Sequence, residues 1–153
     1  TGRVGGRKPN IITSLELRCE EMEVINLRIQ KKYKEIEEKE VRYEEYLLED
    51  AEYAIVAFGS AARIAKKSIE IARGQGIKVG LLRPITLWPF PTKEVQKLAG
   101  KVKGILSLEI NAGQMVEDIR LAVEGKVPVQ HFGRLGGIIP DPDEVVDAIK
   151  RLF

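Results

Sequence analysis

The sequence comprises 153 residues, of which 44% are hydrophobic and 31% are charged, so it can form a globular core of ordinary size. The 25 Lys and Arg residues nearly balance the 23 Asp and Glu residues, and the net charge of +2 argues against a nucleic-acid-binding or membrane-surface protein. One Cys and one His exclude an internal disulfide, and they exclude a zinc or iron–sulfur site built from this chain's own thiolates.

The first 50 residues differ in composition from the rest of the chain. Residues 1–12 are rich in Gly, Arg and Lys without hydrophobic periodicity, which predicts a linker or arm. Residues 13–50 predict an amphipathic linker helix and an extended segment, with Thr13 and Glu16 forming a capping box at the helix start. The apolar residues of this helix share one face and recur at Leu15, Cys19, Met22, Ile25, Ile29, Tyr33 and Ile36.

The apolar stripe of this long helix needs a surface to cover it. We expect that surface to be the following domain or another subunit. Acidic residues interleave the basic ones, which disfavours a calmodulin-target helix, and the spacing departs from a strict heptad, which disfavours a free coiled coil. Cys19 lies on the stripe and is interpreted as a small hydrophobe.

Residues 51–153 alternate short apolar runs with amphipathic segments. The apolar runs predict strands at 53–58, 78–83, 104–110 and 127–132, and Pro128 places the last strand at a sheet edge or makes it begin late. Helices are predicted at 61–73, 92–99, 113–123 and 142–153, with Ser60, Thr92 and Asp141 as caps. This pattern predicts an α/β fold: a three-layer α/β/α sandwich around a largely parallel sheet of four or five strands, preceded by the long amphipathic helix.

In such a sheet, ligands and partner loops meet the carboxyl ends of the strands, so the loops there carry the candidate residues. Gly59 and Ser60 turn the first strand into a helix that also carries Arg63, and the free amides of that helix start could receive an anion. A plain helix cap is the simpler interpretation. Neither G-x-G-x-x-G nor G-x-x-x-x-G-K-[ST] occurs, so a Rossmann cofactor site and a P-loop are both unsupported.

The loop after the second strand, residues 83–91, contains three prolines and the single tryptophan. Fixed proline φ angles predict a stiff, extended loop that loses little entropy on docking. An exposed rigid aromatic is more often an interface anchor than a catalyst, although Trp88 could equally pack into the core. The interface candidates in this loop are Arg83, Pro84, Thr86, Trp88 and Phe90.

Glu109 ends the third apolar run, and Asn111 and Gln114 flank the helix start that follows. A carboxylate there is a catalytic candidate in principle, but no second acid, histidine or metal ligand lies nearby in the sequence. We expect Glu109 to be structural, either bonding backbone amides of the neighbouring loop or reaching across a subunit interface. His131 is expected to be a satisfied sheet histidine, because no G-x-S-x-G elbow supports a catalytic triad.

These loops together resemble the C-terminal part of the alpha subunit of 2-oxoacid:ferredoxin oxidoreductases, and the 2-oxoisovalerate (3-methyl-2-oxobutanoate) branch most of all. Asn26, Lys32–Tyr33 and the run 40–44 are similar to the linker helix of that branch. The resemblance covers most of the 153 residues. It is carried by DAE at 50–52, GSAAR at 59–63, LRPITLWPFP at 82–91, EINAGQM at 109–115 and GRLGG at 133–137, the last of which adds Arg134 to the interface candidates.

The resemblance implies the transketolase-C-terminal-like domain, at 51–153, of an enzyme that decarboxylates a 2-oxoacid such as 2-oxoisovalerate or 2-oxoglutarate with thiamine diphosphate. Such an enzyme makes an acyl-CoA and reduces ferredoxin through iron–sulfur clusters. The thiamine-binding domain that precedes this one in the family is absent from the sequence. The resemblance therefore implies no catalytic, cofactor-binding or metal-binding residue in this chain. Thiamine diphosphate, magnesium, the iron–sulfur clusters and CoA are expected in the complete enzyme.

This segment is thus expected to serve assembly and the rim of the site, and to be inactive alone. Its partners would be the other domains and subunits of a hetero-oligomeric oxidoreductase, with ferredoxin reached through the complete enzyme. No apolar run approaches a membrane span of about 18–20 residues and the polar start is unlike a signal peptide, so a cytoplasmic location is expected. Two alternatives stay open: the equivalent domain of another thiamine enzyme, such as a transketolase or a 2-oxoacid dehydrogenase beta chain, and a stand-alone anion- or nucleotide-binding module at Ser60.

Overall fold

A computed structural model of the chain describes residues 5, 6, 8, 9, 11 and 14–152. The chain divides into two compact units, with the division between Ile36 and Glu37. The domain limits expected from the sequence, after residue 12 and after residue 50, stay a prediction.

Helix α1, Cys19–Lys39, is the main element before the sheet, and none of its residues is fully buried. It begins later than expected: residues 14–18 are not helical, and Thr13 with its predicted capping role lies outside the described residues. The Glu16 carboxylate instead accepts hydrogen bonds from the backbone N–H and the Nε of Arg18. On the apolar stripe, Met22, Ile25, Ile29 and Ile36 are half-buried, while Leu15, Cys19 and Tyr33 are exposed.

The sheet contains five strands in the order β1-β3-β2-β4-β5. Its four parallel strands are β2 (Tyr53–Ala57), β3 (Val79–Pro84), β4 (Gly104–Glu109) and β5 (Val129–Gly133). Each coincides with a predicted apolar run within about two residues. β5 forms the sheet edge and begins after Pro128, as expected, because proline cannot donate to the ladder.

Strand β1, Tyr43–Tyr46, was not predicted as a strand. It pairs antiparallel with β3, with Tyr43 opposite Pro84 and Tyr46 opposite Leu81. The segment reads YEEY, too short for a clear alternation in a Glu-rich stretch, and β1 is the edge strand with three of its four residues exposed. Only pairing with β3 identifies it.

Helices cover both faces of the sheet and complete the three-layer architecture that the sequence predicted. α2 (Gly59–Gly74) and α5 (Pro142–Lys150) pack on one face, where Ile55, Leu81 and Leu106 are fully or almost fully buried. α3 (Thr92–Ala99) and α4 (Met115–Val123) pack on the other face, over Val56, Leu82 and Ile105. Strands without exposed apolar faces are typical of a parallel sheet buried on both sides.

Two of the three helix caps predicted for residues 51–153 are wrong. Phe58 occupies the N-cap position of α2 and Pro91 that of α3, and neither helix has a side-chain cap bond. α2 begins at Gly59, one residue before Ser60, and α3 begins at Thr92 itself. Both expected caps therefore lie inside the first turn of their helix. α2 starts early because Gly59, at φ +55°, turns the chain immediately after β2.

Asp141 caps α5 as predicted, with Pro142 at the first helical position. Its carboxylate accepts a hydrogen bond from the Asp143 N–H at 2.9 Å, and the Glu144 carboxylate accepts one from the Asp141 N–H at 3.1 Å. This capping box satisfies two donors that would otherwise lack partners.

Replacing Asp141 with Ala is expected to lower the free energy of unfolding by about 1 kcal/mol, because the amides of the first turn of α5 lose their acceptor. Urea denaturation followed by circular dichroism measures the change. Asp147→Ala is the matched control: this exposed side chain lies 3.6 Å from the Lys150 ammonium in a surface ion pair, and its loss should cost about 0.3 kcal/mol. Equal effects of the two substitutions would contradict the cap assignment.

Candidate functional site

The carboxyl ends of the parallel strands carry the candidate residues, and the loops that follow β2, β3, β4 and β5 are called the carboxyl rim below. The chain leaves β2 toward β3 on one side and leaves β4 toward β5 on the other, so the winding direction reverses between β2 and β4. Such a reversal leaves a crevice where ligands bind in open α/β sheets. A cavity of about 260 Å³ lies there, lined by Phe58, Ser60, Ala61, Ile110 and Asn111.

The start of α2 forms one wall of this crevice. The first bond of the helix runs from the Ala62 N–H to the Phe58 carbonyl, so the amides of residues 59–61 have no partner within the helix. The first turn has no acidic residue, and Arg63 is exposed. The positive end of the helix dipole therefore lies at the crevice, an arrangement that favours anions. The alternative of an anion-binding module stays a prediction, to be tested by a thermal-shift screen with CoA, nucleotides and phosphate.

Glu109 is fully buried at the end of β4, and both carboxylate oxygens are engaged. One oxygen accepts from the N–H groups of Gln114 and Met115, at 3.0 and 2.9 Å. The other accepts from the Val116 N–H at 3.0 Å and from the Ser107 hydroxyl at 2.9 Å. This confirms the first of the two structural roles expected for Glu109: it bonds the amides that open α4.

Burial alone would raise the pKa of Glu109, because a charged carboxylate is costly away from water. The hydrogen bonds from the Met115 and Gln114 amides, the Ser107 hydroxyl and the Val116 amide outweigh burial and hold the pKa below its ordinary value. Glu109 is therefore an ionised structural group, and its four bonds leave no lone pair for a substrate proton. A general acid or base needs the opposite arrangement.

His131 differs from the expectation of a satisfied histidine. Its Nε2 is buried and makes no hydrogen bond to any described residue. The Glu109 oxygen that binds Ser107 and Val116 lies 3.9 Å from this nitrogen, which is too far for a hydrogen bond. The imidazole ring lies close to the backbone of Gly133, because a Cβ added to that glycine would be 2.8 Å from the ring.

The loop after β3 is bent rather than extended, which corrects the sequence prediction. The Thr86 hydroxyl donates to the Pro89 carbonyl at 2.9 Å and closes the loop on itself. The Arg42 N–H donates to the same hydroxyl at 3.0 Å, and the Ile85 N–H donates to the Arg42 carbonyl at 2.9 Å. Thr86 is thus a structural residue that fastens the loop to the segment entering β1.

This loop presents one of its two aromatic residues and buries much of the other. Trp88 is 55% exposed, which supports an interface role over core packing, and a cis peptide bond joins it to Pro89 within the bend. Phe90, also an interface candidate, is half-buried and packs on the core beneath α3 and α4, so less of its ring than of the Trp88 indole is available to a partner. Pro84 is buried within β3, where it lies opposite Tyr43.

Two of the three arginine candidates, Arg83 and Arg134, make local ion pairs. Arg83 lies in β3 and its Nη1 is 2.9 Å from the Glu44 carboxylate of β1. Arg134 follows β5 and its Nη1 is 2.9 Å from the Glu144 carboxylate of α5. Both pairs join neighbouring elements, and both side chains are at least a third exposed, so each contributes little to stability.

The carboxyl rim also exposes apolar residues that the sequence analysis missed. They lie on two sides of the crevice, after β3 and after β5, and they can be found in the sequence as branched residues next to loop prolines and glycines. Each is at least 45% exposed: Ile85, Leu87, Leu135, Ile138 and Ile139. Apolar side chains gathered on one edge in this way are typical of a surface that another polypeptide covers.

No group of three or more His, Cys, Asp or Glu side chains that could hold a metal ion occurs among the described residues. None of the helices in the described part of the chain is long and apolar enough to cross a membrane.

Comparison with known proteins yields matches over most of the chain. The family described as pyruvate:ferredoxin oxidoreductase core domain II matches residues 51–145. A ketoisovalerate oxidoreductase subunit VorB from Methanothermobacter thermautotrophicus is 46% identical over 143 residues, which are 94% of this chain and 40% of that protein. A 2-oxoglutarate synthase subunit KorA from Methanothermobacter marburgensis is 29% identical over 68% of this chain and 28% of its own length. The chain thus spans at most two-fifths of these curated relatives.

Solved structures share the fold. A 2-oxoglutarate:ferredoxin oxidoreductase from Magnetococcus marinus, with 2-oxoglutarate, coenzyme A and succinyl-CoA bound, superposes with a TM-score of 0.72 and 17% identity, over 90% of this chain and 24% of that one. A split gene transketolase superposes with a TM-score of 0.60 and 15% identity, over 71% of this chain and 41% of that one. At these identities the likeness concerns the fold alone.

Proposed function

Because the chain belongs to the pyruvate:ferredoxin oxidoreductase core domain II family, we propose that it is the C-terminal region of the alpha subunit of a 2-oxoacid:ferredoxin oxidoreductase. The complete enzyme would oxidatively decarboxylate a 2-oxoacid with thiamine diphosphate, form an acyl-CoA and reduce ferredoxin. The 46% identity to a ketoisovalerate oxidoreductase subunit, against 29% to a 2-oxoglutarate synthase subunit, favours 2-oxoisovalerate as the substrate. The family match favours this proposal over a transketolase or dehydrogenase domain.

Within that enzyme, we assign this chain to assembly and to the rim of the active site. The observation that carries the assignment is the carboxyl rim, which combines exposed apolar residues with a fully engaged Glu109. Thiamine diphosphate would supply the carbanion chemistry from another domain. The described residues do not fit its magnesium ion, because no group of three or more His, Cys, Asp or Glu side chains among them could hold a metal ion. The single Cys19 cannot hold an iron–sulfur cluster.

The remaining interface candidates are Gly59, Ser60, Arg63, Asn111, Gln114 and Arg134, of which the first three and Gln114 are exposed. We propose that they contact the thiamine-binding domain, a partner subunit or CoA. The partners would be the other domains and subunits of a cytoplasmic hetero-oligomer, and ferredoxin would bind the complete enzyme.

An activity assay tests this division of labour. The purified chain, supplied with 2-oxoisovalerate, CoA, thiamine diphosphate, magnesium and a viologen dye, should reduce no dye. The complete oxidoreductase whose alpha subunit contains this sequence should reduce the dye with 2-oxoisovalerate. Dye reduction by the chain alone would overturn the assignment of roles, and an inactive complete enzyme with every 2-oxoacid tested would overturn the proposed reaction.

Replacing Trp88 with Ala in the complete enzyme is expected to weaken association of the alpha subunit about tenfold or more, because a large exposed aromatic on a fastened loop is a typical interface anchor. In the isolated chain the same substitution should cost less than about 1 kcal/mol, since the side chain is more than half exposed. Dilution followed by native mass spectrometry measures association, and thermal denaturation measures stability.

Leu121→Ala is the matched control for Trp88→Ala. Leu121 is 77% exposed on α4, away from the rim loops, so its loss removes apolar surface without touching the proposed interface. It should leave association unchanged. A large fall in melting temperature for Trp88→Ala with intact assembly would count against the interface role.

A further inference from the structure

A groove of about 570 Å³ lies beside the loop after β3, within the unit that begins at Glu37. One wall is the end of α1 and the segment leading into β1. The other wall is the bent loop and the start of α3. We call it the acidic groove, and the residues that line it are Glu37, Glu38, Val41, Tyr43, Trp88, Pro89, Phe90, Thr92, Lys93 and Glu94.

The groove carries excess negative charge. Glu37 and Glu38 are exposed, and neither makes an ion pair with any described residue. Glu94 lies 3.9 Å from Lys97, which largely neutralises it, and Lys93 is the one cation of the lining. Two carboxylates without partners therefore dominate the potential of the groove.

Both carboxylates also occupy an unfavourable place on their helix. Glu37 and Glu38 lie in the last turn of α1, which ends at Lys39, and the carboxyl end of a helix bears partial negative charge. The helix dipole repels acidic side chains at this end, most strongly at low salt. A bound cation would relieve this repulsion, and such local conflicts between sequence and structure are expected at functional sites.

An aromatic surface stands beside the charge. Trp88 is 55% exposed and lines the groove together with Tyr43, which is 38% exposed. A guanidinium group is planar, stacks on indole and forms paired hydrogen bonds with carboxylates, whereas an ammonium group is compact and strongly hydrated. The combination of free carboxylates with an exposed indole favours arginine over lysine or a metal ion, and no metal-binding cluster occurs among the residues that the structure describes.

We propose that the acidic groove binds an arginine side chain carried by a segment of another polypeptide. The guanidinium pairs with Glu37 and Glu38 and lies against Trp88, and the residues that flank the arginine fill the rest of the groove, whose volume exceeds that of one side chain. The proposal concerns a surface of this chain alone and stands whether or not the complete enzyme catalyses the proposed reaction.

Trp88 is the only tryptophan of the sequence, so its fluorescence reports directly on the groove. The full chain is titrated with the peptide acetyl-Gly-Gly-Arg-Gly-Gly-amide at low salt. We expect a saturable change in tryptophan emission with half-saturation on the order of 1 mM, weakening as salt is added. The same peptide with citrulline, the uncharged isostere of arginine, should give no saturable change, and the lysine peptide should bind more weakly.

Paired substitutions locate the binding. Glu37→Gln with Glu38→Gln should weaken arginine-peptide binding at least about fivefold, and it should not unfold the chain, because it removes charges that the helix dipole repels. Glu20→Gln with Glu23→Gln removes the same charge from the opposite half of α1 and should leave binding unchanged. Circular dichroism confirms that both variants retain their helices.

Four results would overturn the proposal. They are an equal response to the citrulline peptide, tighter binding of the lysine peptide, unchanged binding to the Glu37/Glu38 variant, and equal weakening by the Glu20/Glu23 variant. A concentration-dependent change in emission without peptide, abolished in the Glu37/Glu38 variant, would show that a second copy of this chain fills the groove instead.

Discussion

Replacing Glu109 with Gln is expected to lower the free energy of unfolding by about 3 kcal/mol. The carboxylate is fully buried and accepts four hydrogen bonds, three of them from the backbone amides of residues 114–116. A glutamine side chain keeps one acceptor oxygen, but an NH2 group replaces the other oxygen and faces the two donors that this oxygen had bound. At least one buried amide then loses its acceptor, and the charge that attracts the amino end of α4 is removed.

Chemical denaturation at neutral pH measures this loss. Glu117→Gln is the matched control, because Glu117 lies in the first turn of the same helix but is exposed, so its loss should cost only about 0.5 kcal/mol. A cost for Glu109→Gln no larger than that of the control would show that the buried carboxylate contributes nothing to the start of α4.

Acid should remove the same contribution without any mutation. The amide and hydroxyl bonds hold the pKa of Glu109 below its ordinary value of 4.5, so folding favours the ionised form. The stability gained in this way is complete above pH 4.5 and is lost as pH falls through the lower pKa of the folded state. The difference in unfolding free energy between the natural chain and Glu109→Gln should therefore shrink below pH 4.5, whereas carboxylates common to both chains cancel. A constant difference down to pH 3 would contradict this origin.

Replacing Gly80 with Ala is expected to destabilise the fold by about 3 kcal/mol or more, the upper range for overpacking. An added Cβ would lie 2.7 Å from Cδ2 of Leu48, and it would also collide with the Leu47 carbonyl oxygen. The side chain of Leu48 could turn aside, but the Leu47 carbonyl belongs to the backbone that follows β1. Moving it would disturb the pairing of Tyr46 with Leu81.

Gly74→Ala is the control for this substitution. Gly74 is the last residue of α2, has open space around its Cα and lies outside the left-handed region, so alanine should be neutral or slightly stabilising there. Thermal and urea denaturation compare the two variants. An equally small effect at Gly80 would mean that the backbone after β1 yields easily, and that β1 is a loosely held edge strand.

The local order of strands and helices was accessible from the sequence because local patterns encode it. Apolar runs separated by amphipathic segments mark β2 to β5 and α2 to α5 within one to three residues at most ends. Asp141 was recognisable as a cap because Pro142 and Glu144 follow it at the required spacing. For Glu109 the sequence left two structural roles open, bonding nearby amides or reaching across a subunit interface. The first role was foreseeable because only a short loop separates the end of β4 from the start of α4.

Patterns failed where a residue's role depends on distant parts of the chain. β1 has no recognisable pattern and forms only against β3, and Thr86 is fixed by Arg42, 44 positions away. The acidic groove likewise joins Glu37 to Trp88, and no spacing rule connects them. The error at Ser60 has a local cause. Gly59, with its positive φ, starts α2 one residue before Ser60, so Ser60 is not the cap.

The sequence by itself therefore determined the fold class, the parallel sheet, the family resemblance and the edge of the sheet where the candidate residues lie. The tertiary structure alone decided which loop residues are exposed, which are held by hydrogen bonds, and which carboxylates line the same groove as the tryptophan. The physical reason is that hydrophobic periodicity and caps act over one or two turns of chain. Burial and charge pairing at the carboxyl rim are instead set by contacts between segments tens of residues apart.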